Sequence, residues 1–261
     1  MPPRPLALLS NDDGYDSRGL LALRDALLAD WDVVVVAPEH EQSASSHALS
    51  LRSSLRLRTV SEGVYALNGT PADCVYVALH AGDRILPRRP DLVLSGINLG
   101  LNLGQDVFYS GTVAAAREAA LRGIPALATS THTSLDMSRV AAACARLAHS
   151  LRQSHVETPR HALLSANFPK GWNGEIRATR LGRRIYEEKV DFRSDPYGRE
   201  YLWLGGPGVR HHESVGTDTA AYDQHAASVT PLLLDLTSHD DIPVVSRIIA
   251  LAAPTTKENQ A

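Results

Sequence analysis

The chain has 261 residues, 44% of them apolar and 21% charged, with a formal net charge of −3. This size and balance describe a globular protein with a self-sufficient core, and one α/β domain accounts for the length. The slight acidic surplus argues against a dedicated nucleic-acid binder and leaves room for a local basic pocket.

Two cysteines, Cys74 and Cys144, are too few for a disulfide framework. Both lie in apolar, helical-looking stretches and read as buried free thiols. No apolar run approaches the roughly 20 residues of a membrane helix. The start, Met1-Pro2-Pro3-Arg4-Pro5, lacks a long apolar segment and a small-residue cleavage site, so the cytoplasm is the expected location. The polar tail 254–261 is expected to fray.

Taken in chain order, short apolar runs alternate with helical patterns. Leu6-Ala7-Leu8-Leu9 reads as a buried strand. Leucines at 20, 21, 23, 27 and 28 suit an amphipathic helix over 19–28. Val33-Val34-Val35-Val36 reads as a central parallel strand, apolar on both faces. The stretch 55–67 alternates around Glu62-Gly63 and predicts a hairpin. Asp91-Leu92-Val93-Leu94-Ser95 is a further strand, and 112–122 an alanine-rich helix. Gly123-Ile124-Pro125 breaks that helix before a strand at 126–129. A helix over 137–151 and a strand at 162–165 follow. This rhythm predicts a doubly wound, mostly parallel sheet. The stretch 176–209, rich in Arg, Tyr and Gly, reads as antiparallel strands in a projecting arm. A helix over 217–226 and a strand over 228–236 close the series.

Chemistry concentrates where strands end. Ser10-Asn11-Asp12-Asp13-Gly14 follows the first strand, and open α/β sheets bind ligands beyond the carboxyl ends of their strands. Two adjacent carboxylates repel, which raises a pKa or calls for a cation. The same residues are also good Asx-turn chemistry. Ala37-Pro38-Glu39-His40-Glu41-Gln42-Ser43-Ala44-Ser45-Ser46 follows the second strand as a polar loop, and Ser43 offers it a hydroxyl oxygen; a solvated loop is the plainer reading. Ser95-Gly96-Ile97-Asn98-Leu99-Gly100-Leu101-Asn102-Leu103-Gly104 can approach a ligand closely, and asparagine offers a neutral oxygen. It leads through Asp106 and Tyr109 to Ser110-Gly111-Thr112, where free N–H groups at a helix start favour phosphate or are simply capped by Thr112. Asp12, Asp13, Ser43 and Asn98 are thus hard oxygen donors on one rim, suited to magnesium or manganese. A divalent ion beside a phosphate seat implies phosphoryl chemistry. His211-His212 reads as loop surface, and Arg88-Arg89 and Arg183-Arg184 as solvated charge. Gly205-Gly206-Pro207-Gly208 lacks the strand–turn–helix context of a dinucleotide fingerprint.

Several of these segments resemble the survival protein SurE family. They are Ser10 to Gly14, Ala37-Pro38 through Ser43, Asn68-Gly69-Thr70-Pro71-Ala72-Asp73-Cys74-Val75-Tyr76, and Ser95 to Asn102 through Tyr109-Ser110-Gly111-Thr112. Asn167-Phe168-Pro169 and Gly216-Thr217-Asp218 with Ser228-Val229-Thr230-Pro231-Leu232 complete six motifs in the family's order over nearly the whole chain. The resemblance implies a Rossmann-like core with a projecting β-hairpin arm and a C-terminal exchanged element, giving a homodimer or homotetramer. It implies a metal-dependent phosphatase of nucleoside 5′- and 3′-monophosphates, some members also trimming polyphosphate. It carries one divalent ion per subunit onto Asp12, Asp13, Ser43 and Asn98, and it singles out Ser43 among the loop serines. Departures fall at Tyr15-Asp16-Ser17-Arg18-Gly19, where the family has Ile or Val and then a small residue and Pro. Others are Gln42-Ser43-Ala44 and His225-Ala226-Ala227. None removes a ligand; Tyr15 and Arg18 border the expected site.

The expectation is therefore a single domain over 1–261, with a core of about 1–170 and 210–253 and an arm of about 176–209. Asp12 and Asp13 are the catalytic pair. Asn11, Asn102, Ser110, Gly111 and Thr112 hold phosphate. The ion neutralises phosphate charge and activates water, with direct attack by Asp12 as the competing route. The partner is a small phosphate ester, with no nucleic-acid polymer and no membrane. The alternatives are a phosphatase of polyphosphate or another small ester, and a non-catalytic nucleotide or phosphate sensor.

Overall fold

The computed structural model describes residues 3–157, 163–187, 189–205, 208–212 and 214–252. Ala162, Gly206, Pro207 and the tail 254–261, all named above, lie outside them. The first strand, β1 (Leu6–Ser10), is buried along its whole length. Its side chains alternate between two apolar cores, Leu6 and Leu8 in one and Ala7 and Leu9 in the other. A four-residue apolar run is therefore the signature of a strand covered on both faces, and the same holds for β2 (Asp32–Pro38).

Between them runs α1 (Arg18–Leu27), capped by the Ser17 hydroxyl. The hairpin then forms as β3 (Leu57–Ser61) and β4 (Val64–Leu67). Its second strand also joins β2 in parallel. The helix α2 (Pro71–His80) starts on a capping box between Thr70 and Asp73. Next come β5 (Leu92–Leu99), α3 (Gly111–Ala120), β6 (Ala126–Thr131), α4 (Met137–Glu157) and β7 (Leu163–Phe168). Helices α1 and α4 pack in the core of Ala7 and Leu9, and α2 and α3 in the core of Leu6 and Leu8.

Strands β4, β2, β1, β5, β6 and β7 lie side by side in that order, all parallel. Counting only these six in chain order gives 3-2-1-4-5-6, the doubly wound arrangement. The winding reverses between β1 and β5. The crevice beyond their carboxyl ends is where such a sheet leaves room for a ligand.

The remaining described strands are β8 (Ile176–Ala178), β9 (Arg184–Tyr186), β10 (Val190–Ser194), β11 (Glu200–Leu204) and β12 (Val209–His211). The chain then forms α5 (Asp218–Asp223), β13 (Ala227–Pro231) and α6 (Ile242–Ala252). The stretch 176–209 is antiparallel, as read, except at its start: β8 pairs in parallel with β13 at the edge of the main sheet. The rest forms two antiparallel ribbons, β10 with β11 and β9 with β12. His211, read as loop surface, instead sits on β12 with its ring 5.4 Å from that of Tyr222.

The last strand was expected to reach residue 236. It stops at Pro231, opposite Leu164. Proline has no N–H to continue the ladder, and Leu233 and Leu236 beyond it are exposed. The run Ile242-Pro243-Val244-Val245-Ser246-Arg247-Ile248-Ile249 has the β-branched look of a strand and is a helix, with Pro243 in its first turn. Ile242, Val244, Val245, Ile248, Ile249 and Leu251 of this helix are all at least half exposed. None of the described helices is long and apolar enough to cross a membrane.

Candidate active site

The crevice at the winding reversal is a cleft of about 500 Å³. Asp12, Asp13, Ser43, Asn98, Asn102 and Ser110 all line it. They come from the ends of β1, β2 and β5 and from the start of α3. Two backbone bonds draw the second loop inward: Gln42 N–H donates to the Asp12 carbonyl at 2.7 Å, and Ser46 N–H to the Tyr109 carbonyl at 3.0 Å.

Asp12 is buried and Asp13 half-buried. The Thr112 hydroxyl donates to Asp12 Oδ1, and the Thr112 backbone N–H also bears on that carboxyl. Burial pushes the Asp12 carboxyl up to about 6, Thr112 opposes the shift, and the Asp13 charge adds to it. Burial raises Asp13 as well, against the Leu99 N–H, which reaches Asp13 Oδ2 at 3.4 Å, and with the help of Glu41. Two crowded carboxylates held above their ordinary range call for a cation.

Close approach at the start of α3 depends on Gly111. A Cβ there would stand 2.9 Å from Asp12 Cβ and 2.8 Å from Ser45 Oγ. Ser110 caps the helix, its Oγ accepting from Val113 N–H at 3.1 Å. The seat of free N–H groups is thus turned toward the Asp12 carboxylate. Neither Gly111 nor Thr112 lines the cleft. Asn11 does not either: its Nδ2 donates to the Gly14 carbonyl at 2.8 Å and to Ser17 Oγ at 2.7 Å, which ties the turn after β1. Asn11 thus ties the turn after β1, and Thr112 holds the Asp12 carboxyl.

Asn98 spends its Nδ2 on the Gly100 carbonyl at 2.8 Å, which leaves Oδ1 for a ligand. Asn102 is anchored through its N–H to Asn167 Oδ1 at 2.8 Å and through Nδ2 to Ser130 Oγ at 2.8 Å. Its side-chain donors therefore face the sheet. Ser43 Oγ donates to Glu41 Oε1 at 2.7 Å. Among the described residues no three His, Cys, Asp or Glu side chains gather into a metal-binding group. A cation here has to take neutral oxygens along with two carboxylates. The set of Asp12, Asp13, Ser43 and Asn98 is all oxygen, and that chemistry fits a hard divalent ion.

The sequence missed three residues of the cleft wall: Asp106, Arg184 and Tyr186. Asp106 pairs with Arg184 Nη1 and accepts from the Tyr186 hydroxyl. Read as solvated charge, Arg184 is in fact mostly covered, its side chain 17% exposed. No local signal marks it, since its partner is 78 residues away. Tyr15 and Arg18 do not line the cleft. Tyr15 packs on the core, with the Arg58 guanidinium 5.2 Å from its ring centre.

Residues 7–188 match the family model described as Survival protein SurE. A protein of Sorangium cellulosum named 5′-nucleotidase SurE is 58% identical over 235 residues, covering 89% of this chain and 91% of that protein. One of the same name from Myxococcus xanthus is 45% identical over 245 residues, covering 92% and 91%. The crystal structure of the SurE protein from Aquifex aeolicus superposes with a TM-score of 0.79 at 36% identity, covering 94% of this chain and all of that one. With the winding order, the rim of oxygen donors and these likenesses in agreement along its length, the chain belongs to the survival protein SurE family.

Proposed function

We propose that the cleft hydrolyses nucleoside 5′-monophosphates, and 3′-monophosphates, to nucleoside and phosphate. One observation carries the reading: four hard oxygen donors from three strand ends converge in one cleft, beside the start of a helix. Relatives that match nine-tenths of the chain are named 5′-nucleotidases. Asp12, Asp13, Ser43 and Asn98 would hold one divalent ion, magnesium or manganese. When bound, such an ion supplies Lewis acidity toward the phosphate oxygens.

The chain's own residues do the rest. Thr112 fixes the Asp12 carboxylate through Oδ1. Asp13, with only the long contact from Leu99, is the freer carboxylate and accepts the proton of the attacking water. Asn167 and Ser130 hold the loop that carries Asn102, and Ser110 stands at the phosphate end. The two cysteines, buried and free, fit a reducing compartment such as the cytoplasm.

Phosphate release from a panel of nucleoside monophosphates, sugar phosphates and polyphosphate, with manganese, magnesium or chelator, tests this reading. Release is expected only with metal, with the highest kcat/KM on nucleotides. A folded protein that releases nothing with any metal would be a sensor. Preference for a non-nucleotide would move the substrate class.

We also infer a homodimer or homotetramer. The apolar side of α6 and the exposed Phe192, Trp203 and Leu204 of the β10–β11 ribbon are more apolar surface than a monomer leaves in water. Sizing chromatography should show a dimer or larger, and the double variant Ile248→Asp, Ile249→Asp should run smaller. A wild-type chain that elutes as a monomer at micromolar concentration sinks this inference.

A further inference from the structure

We propose that Arg184, delivered by β9 of the arm, binds the phosphoryl group of the substrate. The inference rests on reading the cleft as a phosphomonoesterase site and adds to it a residue from outside the strand ends.

Charge balance points to it first. The described lining of the cleft carries four carboxylates, Asp12, Asp13, Glu41 and Asp106, and a single cationic side chain, Arg184. A phosphate monoester brings a further charge of about −1.5 to −2 at pH 7. One divalent ion offsets Asp12 and Asp13. Asp106 is paired with Arg184, so the substrate still faces Glu41, and Arg184 is the one cationic side chain of the described lining placed to meet it.

Position points to it second. Arg184 is clamped along its backbone by one side chain: its N–H donates to Gln105 Oε1 at 2.9 Å, and Gln105 Nε2 donates to the Arg184 carbonyl. Beneath this clamp, buried Asp218 accepts from Gly104 N–H at 2.8 Å and from Gly182 N–H at 2.6 Å, which ties the cleft loop to the arm. Asp106 orients the guanidinium through Nη1, and the Tyr186 hydroxyl holds the other oxygen of Asp106. The Tyr186 ring centre lies 5.1 Å from the Arg184 guanidinium carbon.

The third observation concerns what is left over. Arg184 Nε is buried and has no hydrogen-bond partner among the described residues. An unpaired N–H on a buried guanidinium is costly, so natural proteins rarely leave one without a use. A guanidinium serving only as a staple would spend Nε on Asp106 too, in the bidentate fork such pairs favour. Here Asp106 takes Nη1, and Arg184 lines the cleft, so the part of the guanidinium that Asp106 does not use remains for a set of oxygens once the side chain shifts to bring it forward. Phosphate oxygens match a guanidinium in charge and geometry.

The test compares wild type, Arg184→Gln and Arg184→Lys in three measurements. These are the Kd of inorganic phosphate in manganese by calorimetry, kcat/KM on a nucleoside monophosphate, and Tm. Arg184→Gln is expected to weaken phosphate binding about tenfold and to lower kcat/KM about thirtyfold. Arg184→Lys keeps charge and stem but not the fork, and should weaken phosphate binding about threefold. If Arg184→Gln fails to fold, Arg184→Lys alone decides. Values within twofold of wild type in every folded variant overturn the proposal, as does a wild type that does not bind phosphate. A wild type that binds phosphate yet releases none from any ester defeats the phosphomonoesterase reading, while the Kd comparison still decides Arg184.

Discussion

Asp13→Asn is expected to lower kcat/KM by about three orders of magnitude with either manganese or magnesium, an effect of about 4 kcal/mol on the transition state. The asparagine has the size of the aspartate and keeps one oxygen, so the turn after β1 should survive. What is lost is charge. Asp13 sits half-buried beside Asp12 and within reach of Glu41, in surroundings that raise its pKa. Such a carboxylate binds a cation well, because the cation relieves the crowding. It is also the less encumbered base, since its Oδ2 meets the Leu99 N–H only at 3.4 Å. A metal titration separates the two roles. If excess metal restores the variant, Asp13 only holds the ion. If the loss persists at saturation, the carboxylate also takes the proton. A folded variant within tenfold of wild type at ordinary metal concentration would remove Asp13 from the chemistry and the cleft assignment with it.

Much of this site was legible because of where strands end. Leu6 to Leu9 and Val33 to Val36 announce strands covered on both faces, and such strands belong to the middle of a parallel sheet. In the order 3-2-1-4-5-6 the ends of the first and fourth strands flank the reversal of winding. Asp12 and Asp13, just after one of them, and Asn98, in the last residues of the other, therefore had to meet. Ser43 was less legible, since serines also stand at 45 and 46, and family likeness chose among them.

The roles of polar residues behind the rim were not legible. Asn11, Gly111 and Thr112 share a segment with lining residues, but Asn11 bonds within its own turn, Gly111 lets α3 approach Asp12, and the Thr112 hydroxyl bonds the Asp12 carboxyl. Arg184 was hidden for another reason. Two adjacent arginines in a polar stretch look solvated, and only distant partners, Gln105 at the backbone and Asp106 at the guanidinium, hold one of them at the cleft.

Asp12→Asn should make the metal-free protein more stable at pH 7. The Asp12 carboxyl is held at about 6 in the folded protein against an ordinary value of 3.8, mainly by burial. A folded state with the higher pKa binds the proton more tightly than the unfolded chain. The stability linked to Asp12 is therefore fully present below about pH 4 and is lost as the pH rises through about 6. At about 1.4 kcal/mol per pH unit, the gap from 3.8 to about 6 amounts to about 3 kcal/mol at neutral pH. Asparagine carries no charge to desolvate and still offers Thr112 an oxygen. The metal-free variant should melt about 6 °C above wild type at pH 7, and the two should converge near pH 4. Saturating manganese should reverse the ranking, because an ion that binds only the folded state stabilises the protein that binds it better. Equal melting at pH 7 without metal, or an advantage that persists unchanged at pH 4, would show that Asp12 is not the strained group. The expected pattern would instead mark the crowded carboxylates as a local cost to the fold, offset when the ion arrives, and would tie this rim to metal without any measurement of turnover.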